Sequence, residues 1–342
     1  MGSVNPSVNV IIPTYKREDT IFKLLDSLML QSYRKFSVML IYKPWHGYKV
    51  VFDRIEEYKD LDIQFIRQER GFFEEAVNIA YKKADGDIVI HTDDDAWVYK
   101  NWIQDHIEIH MKNDKVGMAT GQVIENIDRN GKKLPLFVRV PNELKWLMNK
   151  HTLIDRPIKE EFDGYGMYLG KSGMLVDTGK KYDLIRTLKQ HGVNMSWKRD
   201  ALKGFKLPGF TLNGAGNEAC AALEVIDRGY TPIWFSKATV FHPMHQSLSR
   251  GGTISNLSIK LTAERVLFAY YAAVVKGYKI SLDKLKLRNE IDKVISRFVS
   301  KNAYIGYVVG YEIATKAIEE NWSPQKVRSE LAAKITNWRK AV

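Results

Sequence analysis

The sequence predicts an α/β fold, with a mostly parallel central sheet flanked by helices and a helical C-terminal extension. Three observations carry this. Short β-branched runs alternate with amphipathic segments up to residue 91; turn-rich, mixed sequence follows; from residue 259 onward apolar residues recur at helical spacing. A chain of 342 residues that is 45% hydrophobic and 27% charged can bury a sizeable core, which excludes disorder along its whole length.

Residues 8–13 (VNVIIP) form a β-branched run stopped by proline, hence a strand. Residues 19–31 place Ile21, Leu24, Leu25, Leu28 and Met29 on one face of a helix. Residues 36–42 and 62–66 read as strands, 48–58 and 73–84 as helices, and 87–91 (DIVIH) as a fourth strand. In such parallel sheets ligands bind beyond the carboxyl ends of the strands, so residues 13–17, 42–46, 67–71 and 92–95 are expected to share one crevice. Residues 121–140 then read as two irregular strands around the turn Asn130-Gly131, and 141–190 are mixed. Order returns at 194–201, followed by a Gly-rich loop over 207–218, a helix over 218–228 ended by Gly229, and a strand near 233–241. The helical remainder has predicted breaks at Gly277, Asn302 and Ser323-Pro324. The expected division is 1–120, 121–250 and 251–342.

The net charge of +12 is concentrated at the end: residues 251–342 hold 16 Lys and Arg against 8 Asp and Glu. This suits an anionic partner, whether nucleoside diphosphate, acidic lipid surface or nucleic acid, and a solvated helical surface explains it equally. A single cysteine, Cys220, excludes an intramolecular disulfide or a Cys-based zinc site and makes a reducing compartment the default. The longest apolar run, residues 266–275, is ten residues, so neither a signal peptide nor a membrane span is expected. A cytoplasmic protein, at most peripheral at a membrane surface, follows.

Asp93, Asp94 and Asp95 follow directly on the apolar strand, and their mutual repulsion needs a reason. In extended backbone the first and third point to one side, so Asp93 and Asp95 face one ligand while Asp94 faces away. A divalent ion bound with two phosphates would neutralise them; Mg2+ and Mn2+ take hard oxygen ligands from carboxylates, phosphates and water. The alternative is an acidic turn in which Asp95 caps a helix starting near Trp97.

The stretches VNVIIPTYKRED, RGFFEEAVNIAYKKADGDIVIHTDDDAWV, VNMSWKRDALKGF and GNEACAALEVIDRGY, in that order over roughly residues 8–245, resemble the family 2 glycosyltransferases. These are nucleotide-sugar enzymes of the GT-A fold, a Rossmann-like sheet. The resemblance implies that 1–120 is a nucleotide-sugar-binding half, 121–250 the acceptor-binding half of the same domain, and 251–342 a basic helical extension. It assigns the nucleoside to Pro13, Thr14, Tyr15 and Arg17, with Tyr15 stacking on the base and Arg17 reaching a phosphate; a strand stop and helix entry is the plainer reading. Asp93 matches the ribose-contacting acid, with Asp94 counted in the same element, and Asp95 the metal-binding one. Gly71 and Asn78 match positions behind the third loop, where Asn78 serves packing equally well. Asn194, Trp197 and Arg199 match the segment lining the sugar and acceptor pocket, with strand core as the alternative for Trp197. The family usually places an acid at the end of its second strand to read the base; this chain has Ile41-Tyr42-Lys43-Pro44, which leaves the base unassigned.

The resemblance implies a general base at the start of a helix beyond the Gly-rich loop, where Glu218 fits. The family pattern there is Glu-Asp, whereas this chain reads Asn217-Glu218-Ala219; counted back from Gly229-Tyr230, Ala219 takes the base position and a one-residue adjustment restores Glu218. A helix N-terminal carboxylate favoured by the dipole is the alternative. His242 is expected to complete the metal site or meet the diphosphate, and with His245 and Arg250 it sits in a stretch suited to closing over a nucleotide.

The implied reaction moves a hexosyl group from a nucleotide diphosphate sugar to the hydroxyl of a saccharide, lipid-linked or protein acceptor, with inversion and with Mn2+ or Mg2+ as cofactor. Residues 259–275 carry Phe268, Tyr270 and Tyr271 between Lys260, Arg265, Lys276 and Lys279; they either lie in an anionic membrane interface or pack as a core helix, under the catalytic domain or in a homodimer. Rival readings are weaker. His106 and His110 flank Glu108 but do not form HExxH. Without an RNP-like, KH-like or zinc-finger pattern, nucleic acid is not an expected partner. A nucleotidyltransferase would generally need a Gly-rich loop after the first strand, and IIPTYKRED has no glycine.

Overall fold

The expected alternation is present in the computed structural model, which describes residues 5–16, 20–125, 154–180, 182–243 and 255–341. β1 (Val8–Thr14), β2 (Phe36–Tyr42), β3 (Asp62–Arg67) and β4 (Ile88–His91) are connected by α1 (Ile21–Met29), α2 (Tyr48–Ile55) and α3 (Phe73–Lys83). Then come β5 (Trp97–Val98), α4 (Trp102–Lys112), β6 (Val116–Thr120), β7 (Val123–Ile124), β8 (Met167–Leu169), β9 (Leu175–Asp177), β10 (Leu184–Arg186), β11 (Met195–Lys198), α5 (Asn217–Asp227), β12 (Thr231–Phe235) and β13 (Val240–Phe241). The chain divides into two compact units: Met1–Pro135, Lys181–Leu207 and Ala221–Met244 form the first, and Leu136–Lys180, Pro208–Cys220 and His245–Val342 the second.

The first unit is an eight-stranded sheet in the order β10-β12-β6-β11-β4-β1-β2-β3, in which β1 to β4 run parallel. Strand alternation sends Val8, Val10 and Ile12 of β1, Val38 and Leu40 of β2 and Ile88 and Ile90 of β4 into one core with Leu24, Leu25 and Leu28 of α1 and Trp102, Ile103 and Ile107 of α4. Each such aliphatic chain contributes about 1.5–3 kcal/mol of burial, so these two helices are clamped to the sheet. α3 covers the other face, where the Tyr81 ring meets Trp197 edge-on at 4.7 Å; Trp197 is a strand-core residue, 2% exposed. Asn78 ties α3 to the backbone of Leu207, accepting its N–H at 2.8 Å, which is the packing role.

The expected strand over 233–241 is broken. Ala238 adopts a left-handed φ of 52°, and β13 leaves the main sheet to pair antiparallel with β5 and parallel with β7. Asn194 holds this break in place. Its Nδ2 donates to the carbonyls of Ala238 (2.6 Å) and Gln122 (2.9 Å), and its Oδ1 accepts the Trp102 indole N–H at 2.8 Å.

His106 and His110 on α4 are completely buried and are wired to one another. His106 Nε2 lies 3.0 Å from Asn194 Oδ1, Ser196 Oγ 2.7 Å from His106 Nδ1, His110 Nε2 2.9 Å from Ser196 Oγ, and His110 Nδ1 3.2 Å from the Val116 carbonyl. Two neutral imidazoles and one hydroxyl supply three protons for four contacts. Burial pushes His106 down to about 3 and His110 to about 4, and it does the same to His91, to about 3. Unfolding returns all three to the ordinary value of 6.5, so the unfolded chain binds more protons as the pH falls below that value. Stability is therefore expected to be full above pH 6.5 and to fall toward pH 4 by up to about 4 kcal/mol per pH unit for three protons. Urea midpoints at pH 7, 6 and 5 measure this; a midpoint constant over that range would contradict neutral burial.

In the second unit β8 and β9 form a hairpin. The helices are α6 (Ser255–Val266), a turn at Phe268–Tyr270 running into a π-helical stretch Tyr271–Val275, α7 (Leu282–Val299), α8 (Lys301–Glu319) and α9 (Pro324–Ala341). Gly277 (φ 72°) and Ser323-Pro324 mark breaks as expected. The third falls at Ser300 instead of Asn302, because the Ser300 hydroxyl accepts the Ala303 N–H and caps α8. Gly306 and Gly310 let α8 lie directly on α6: a Cβ at either would come within 2.6 Å of Thr262 Cβ or 2.8 Å of the Ala263 carbonyl. The aromatic belt is interior, with Phe268, Tyr270 and Tyr271 exposed by 1, 0 and 1%. This is the core-helix alternative: the rings pack against Phe210 and each other. Among the described residues no helix is long and apolar enough to cross a membrane.

Candidate active site

The carboxyl ends of β1 to β4 open on one edge of the sheet, where neighbouring strand ends and loops are bonded in pairs. The Gln68 N–H donates to the Tyr42 carbonyl (2.7 Å), Lys43 Nζ to the Gly71 carbonyl (3.0 Å), and the Thr92 N–H to the Ile11 carbonyl (3.2 Å). Gly71 has a φ of +91° and a Cβ there would sit 2.5 Å from Glu75 Cγ; the Glu75 carboxylate caps α3 by accepting the Phe72 N–H at 2.6 Å. Glycine is thus required by the cap itself.

Pro13 and Thr14 end β1, and the Thr14 hydroxyl is buried with no hydrogen-bond partner among the described residues. Tyr15 is 45% exposed, and its ring meets Trp45 edge-on at 6.3 Å. Trp45 was not singled out by the sequence; its signal is an aromatic in the loop after β2, where a base-reading acid is missing. Arg17, His245 and Arg250 lie outside the described residues.

The acidic trio forms a turn, with the Ala96 N–H donating to the Asp93 carbonyl at 3.3 Å, so the first and third acids converge through turn geometry and not through extended backbone. Asp95 does not cap a helix at Trp97: that residue starts β5, and α4 begins only at Trp102. β13 pairs with β5 through Phe241 opposite Trp97, which brings the next residue, His242, beside the turn. His242 Nε2 lies 3.0 Å from Asp95 Oδ1, and ligand atoms of Asp93, Asp95 and His242 all lie within 4.8 Å of one another. Asp95 and His242 are buried, Asp93 half-buried, and Asp94 is outside the group. Trp97 stacks on Phe241 at 5.7 Å, with Lys23 Nζ 3.5 Å above the Trp97 ring, which stiffens the strand pair carrying the group.

Two carboxylates and an imidazole fit a divalent cation. The oxygens suit Mg2+ or Mn2+ and the imidazole favours Mn2+, while three protein groups leave positions for phosphate oxygens and water.

Two expected site residues are elsewhere. Asn194 is fully buried and its amide is committed to the bonds described above, so it shapes the site from behind and does not line a sugar pocket. Arg199 is at the opposite edge: β11 runs antiparallel to β4, so the residue after Lys198 lies by Asp87, and its Nη1 donates to the Asp85 carbonyl at 2.5 Å. Glu218 stands half-buried in the first turn of α5.

Residues 9–168 match the family model described as glycosyl transferase family 2. That match spans a little under half of the chain. No curated protein matches it in sequence. Among solved structures, the mannosyltransferase PcManGT from Pyrobaculum calidifontis, in complex with GDP-Man and Mn2+, is 17% identical with a TM-score of 0.56, covering 98% of this chain and 88% of its own. GalNAc-T7 with UDP, GalNAc and Mn2+ is also 17% identical, with a TM-score of 0.55, over 97% of this chain and 58% of its own. At that identity the likeness shows the fold, GT-A. The family match takes in the loop after β1 and the acidic turn and ends before His242 and Glu218.

Proposed function

We propose that this glycosyltransferase uses a divalent ion, Mn2+ or Mg2+, held by Asp93, Asp95 and His242, to move a sugar from a nucleotide diphosphate donor to an acceptor hydroxyl with inversion. The observation that carries the reading is the convergence of those three side chains at the mouth of β4, with an exposed Tyr15 following the neighbouring strand β1. That the structures of PcManGT and GalNAc-T7 contain Mn2+ with GDP-Man, or with UDP and GalNAc, supports it.

In this reading Tyr15, backed by Trp45, offers its ring to the base, and the buried Thr14 hydroxyl and Gly71 backbone border the nucleoside. Arg17 and Arg250 meet the diphosphate. When bound, the ion offsets the charge that develops on the leaving diphosphate. Glu218 takes the proton from the acceptor hydroxyl as that oxygen attacks from the face opposite the leaving group. The acceptor is a saccharide, a lipid-linked sugar or a protein; vesicle flotation and sedimentation test the peripheral membrane contact and homodimer that belong to the same reading.

A thermal-shift series with UDP, GDP, dTDP and their sugars, with and without Mn2+, tests it. Stabilisation by one nucleotide only when Mn2+ is present is expected; stabilisation by nucleoside triphosphates with pyrophosphate release would favour a nucleotidyltransferase. Glu218→Gln is expected to lower turnover about 100- to 10,000-fold while leaving that stabilisation intact. Full turnover in this variant would remove Glu218 as the base.

A further inference from the structure

We propose that Glu264 is a positioning residue for Glu218, an inference that rests on Glu218 being the base. Glu264 stands on α6 and is 0% exposed. A carboxylate withdrawn from water is costly unless its oxygens are bonded. Here Oε1 accepts the N–H groups of Leu212 (2.9 Å) and Asn213 (2.8 Å), and Oε2 accepts that of Ala215 (2.9 Å). Three amides of one loop thus converge on one side chain.

The loop needs such an anchor. Gly214 and Gly216 hold φ values of 83° and 94°, and glycine enters these conformations about as readily as any other, so the local sequence selects no single shape. The segment is otherwise tied at its ends. Phe210 packs on Tyr270 and Tyr271, each at 5.9 Å, and the Tyr271 hydroxyl donates to the Cys220 carbonyl at 3.4 Å. Between those ties, the Gly214 N–H donates to the Thr211 hydroxyl and the Asn217 N–H to the Gly214 carbonyl, which starts α5. Glu264 fixes the backbone that ends three residues before Glu218, all within the second unit. The aromatic belt and the buried acid of the C-terminal helices therefore serve the loop that delivers the base. A misplacement of about 1 Å at such a group costs on the order of 100-fold in rate.

Glu264→Gln puts an NH2 group against N–H donors and breaks the convergence with little change in volume; Glu264→Asp keeps the charge one methylene short. Turnover is measured as nucleoside diphosphate release from whichever of GDP-mannose, UDP-glucose and UDP-N-acetylgalactosamine the full chain consumes with Mn2+. Glu264→Gln is expected to lower kcat about 10- to 100-fold with donor KM and the Mn2+-dependent thermal shift unchanged, and Glu264→Asp to fall between. Added to Glu218→Gln, it is expected to cost nothing further, because a residue that acts through Glu218 has nothing left to position. Full turnover in Glu264→Gln beside an inactive Glu218→Gln would overturn this inference alone, as would an equal loss in both backgrounds. Full turnover in Glu218→Gln would overturn the base assignment and this inference with it.

Discussion

Asp95→Asn is expected to abolish the Mn2+ dependence of nucleotide stabilisation and to lower turnover by at least about 100-fold. The substitution keeps shape and leaves Asp94 and the Asp93–Ala96 turn in place, so the fold has little reason to respond. What it removes is the charge at the centre of the group: Asp95 is buried, and its Oδ1 is the atom 3.0 Å from His242 Nε2. An amide oxygen is a far weaker ligand for a hard divalent cation than a carboxylate. Isothermal titration with Mn2+ in the presence of the stabilising nucleotide, alongside steady-state turnover, reads both effects. Retention of Mn2+ affinity by Asp95→Asn would mean that the ion is held elsewhere.

Asn194→Ala is expected to destabilise the protein by about 4 kcal/mol or more, a large part of the 5–15 kcal/mol typical of a folded domain. The amide pairs with the Trp102 indole, His106 and the carbonyls of Gln122 and Ala238, and each buried group left without a partner costs about 1–3 kcal/mol. The same loss would release the left-handed turn at Ala238 from which β13 carries His242 to the acidic turn. A chemical-denaturation midpoint unchanged from the parent, with only the donor KM raised, would return Asn194 to the sugar pocket.

The sheet was legible where strand patterning was undisturbed. β2 spans residues 36–42 as its β-branched and aromatic run predicts, and the loop from Thr92 to Asp95 stands where carboxyl-end logic puts it. β6 was not legible as an element, and α4 was read only as a helix starting near Trp97, whereas it begins at Trp102. β6 reads as a short, weakly patterned stretch, and α4 buries two histidines whose apolar surroundings come from distant residues such as Phe235. Arg199 shows a different limit. Its sequence neighbourhood matched, but the antiparallel direction of β11 is fixed by pairing with β4 and β6, which no local pattern states. The convergence of Asp95 with His242, 147 residues apart, depends on the Ala238 turn and on a strand pair only two residues long, both beyond the reach of periodicity.

The most direct measurement is anomalous scattering at the manganese edge from crystals grown with Mn2+ and the stabilising nucleotide. One strong peak is expected in contact with Asp93, Asp95 and His242 and adjoining the diphosphate. A diphosphate bound at the strand mouths with no peak among those three side chains, or with the metal on other residues, would contradict it.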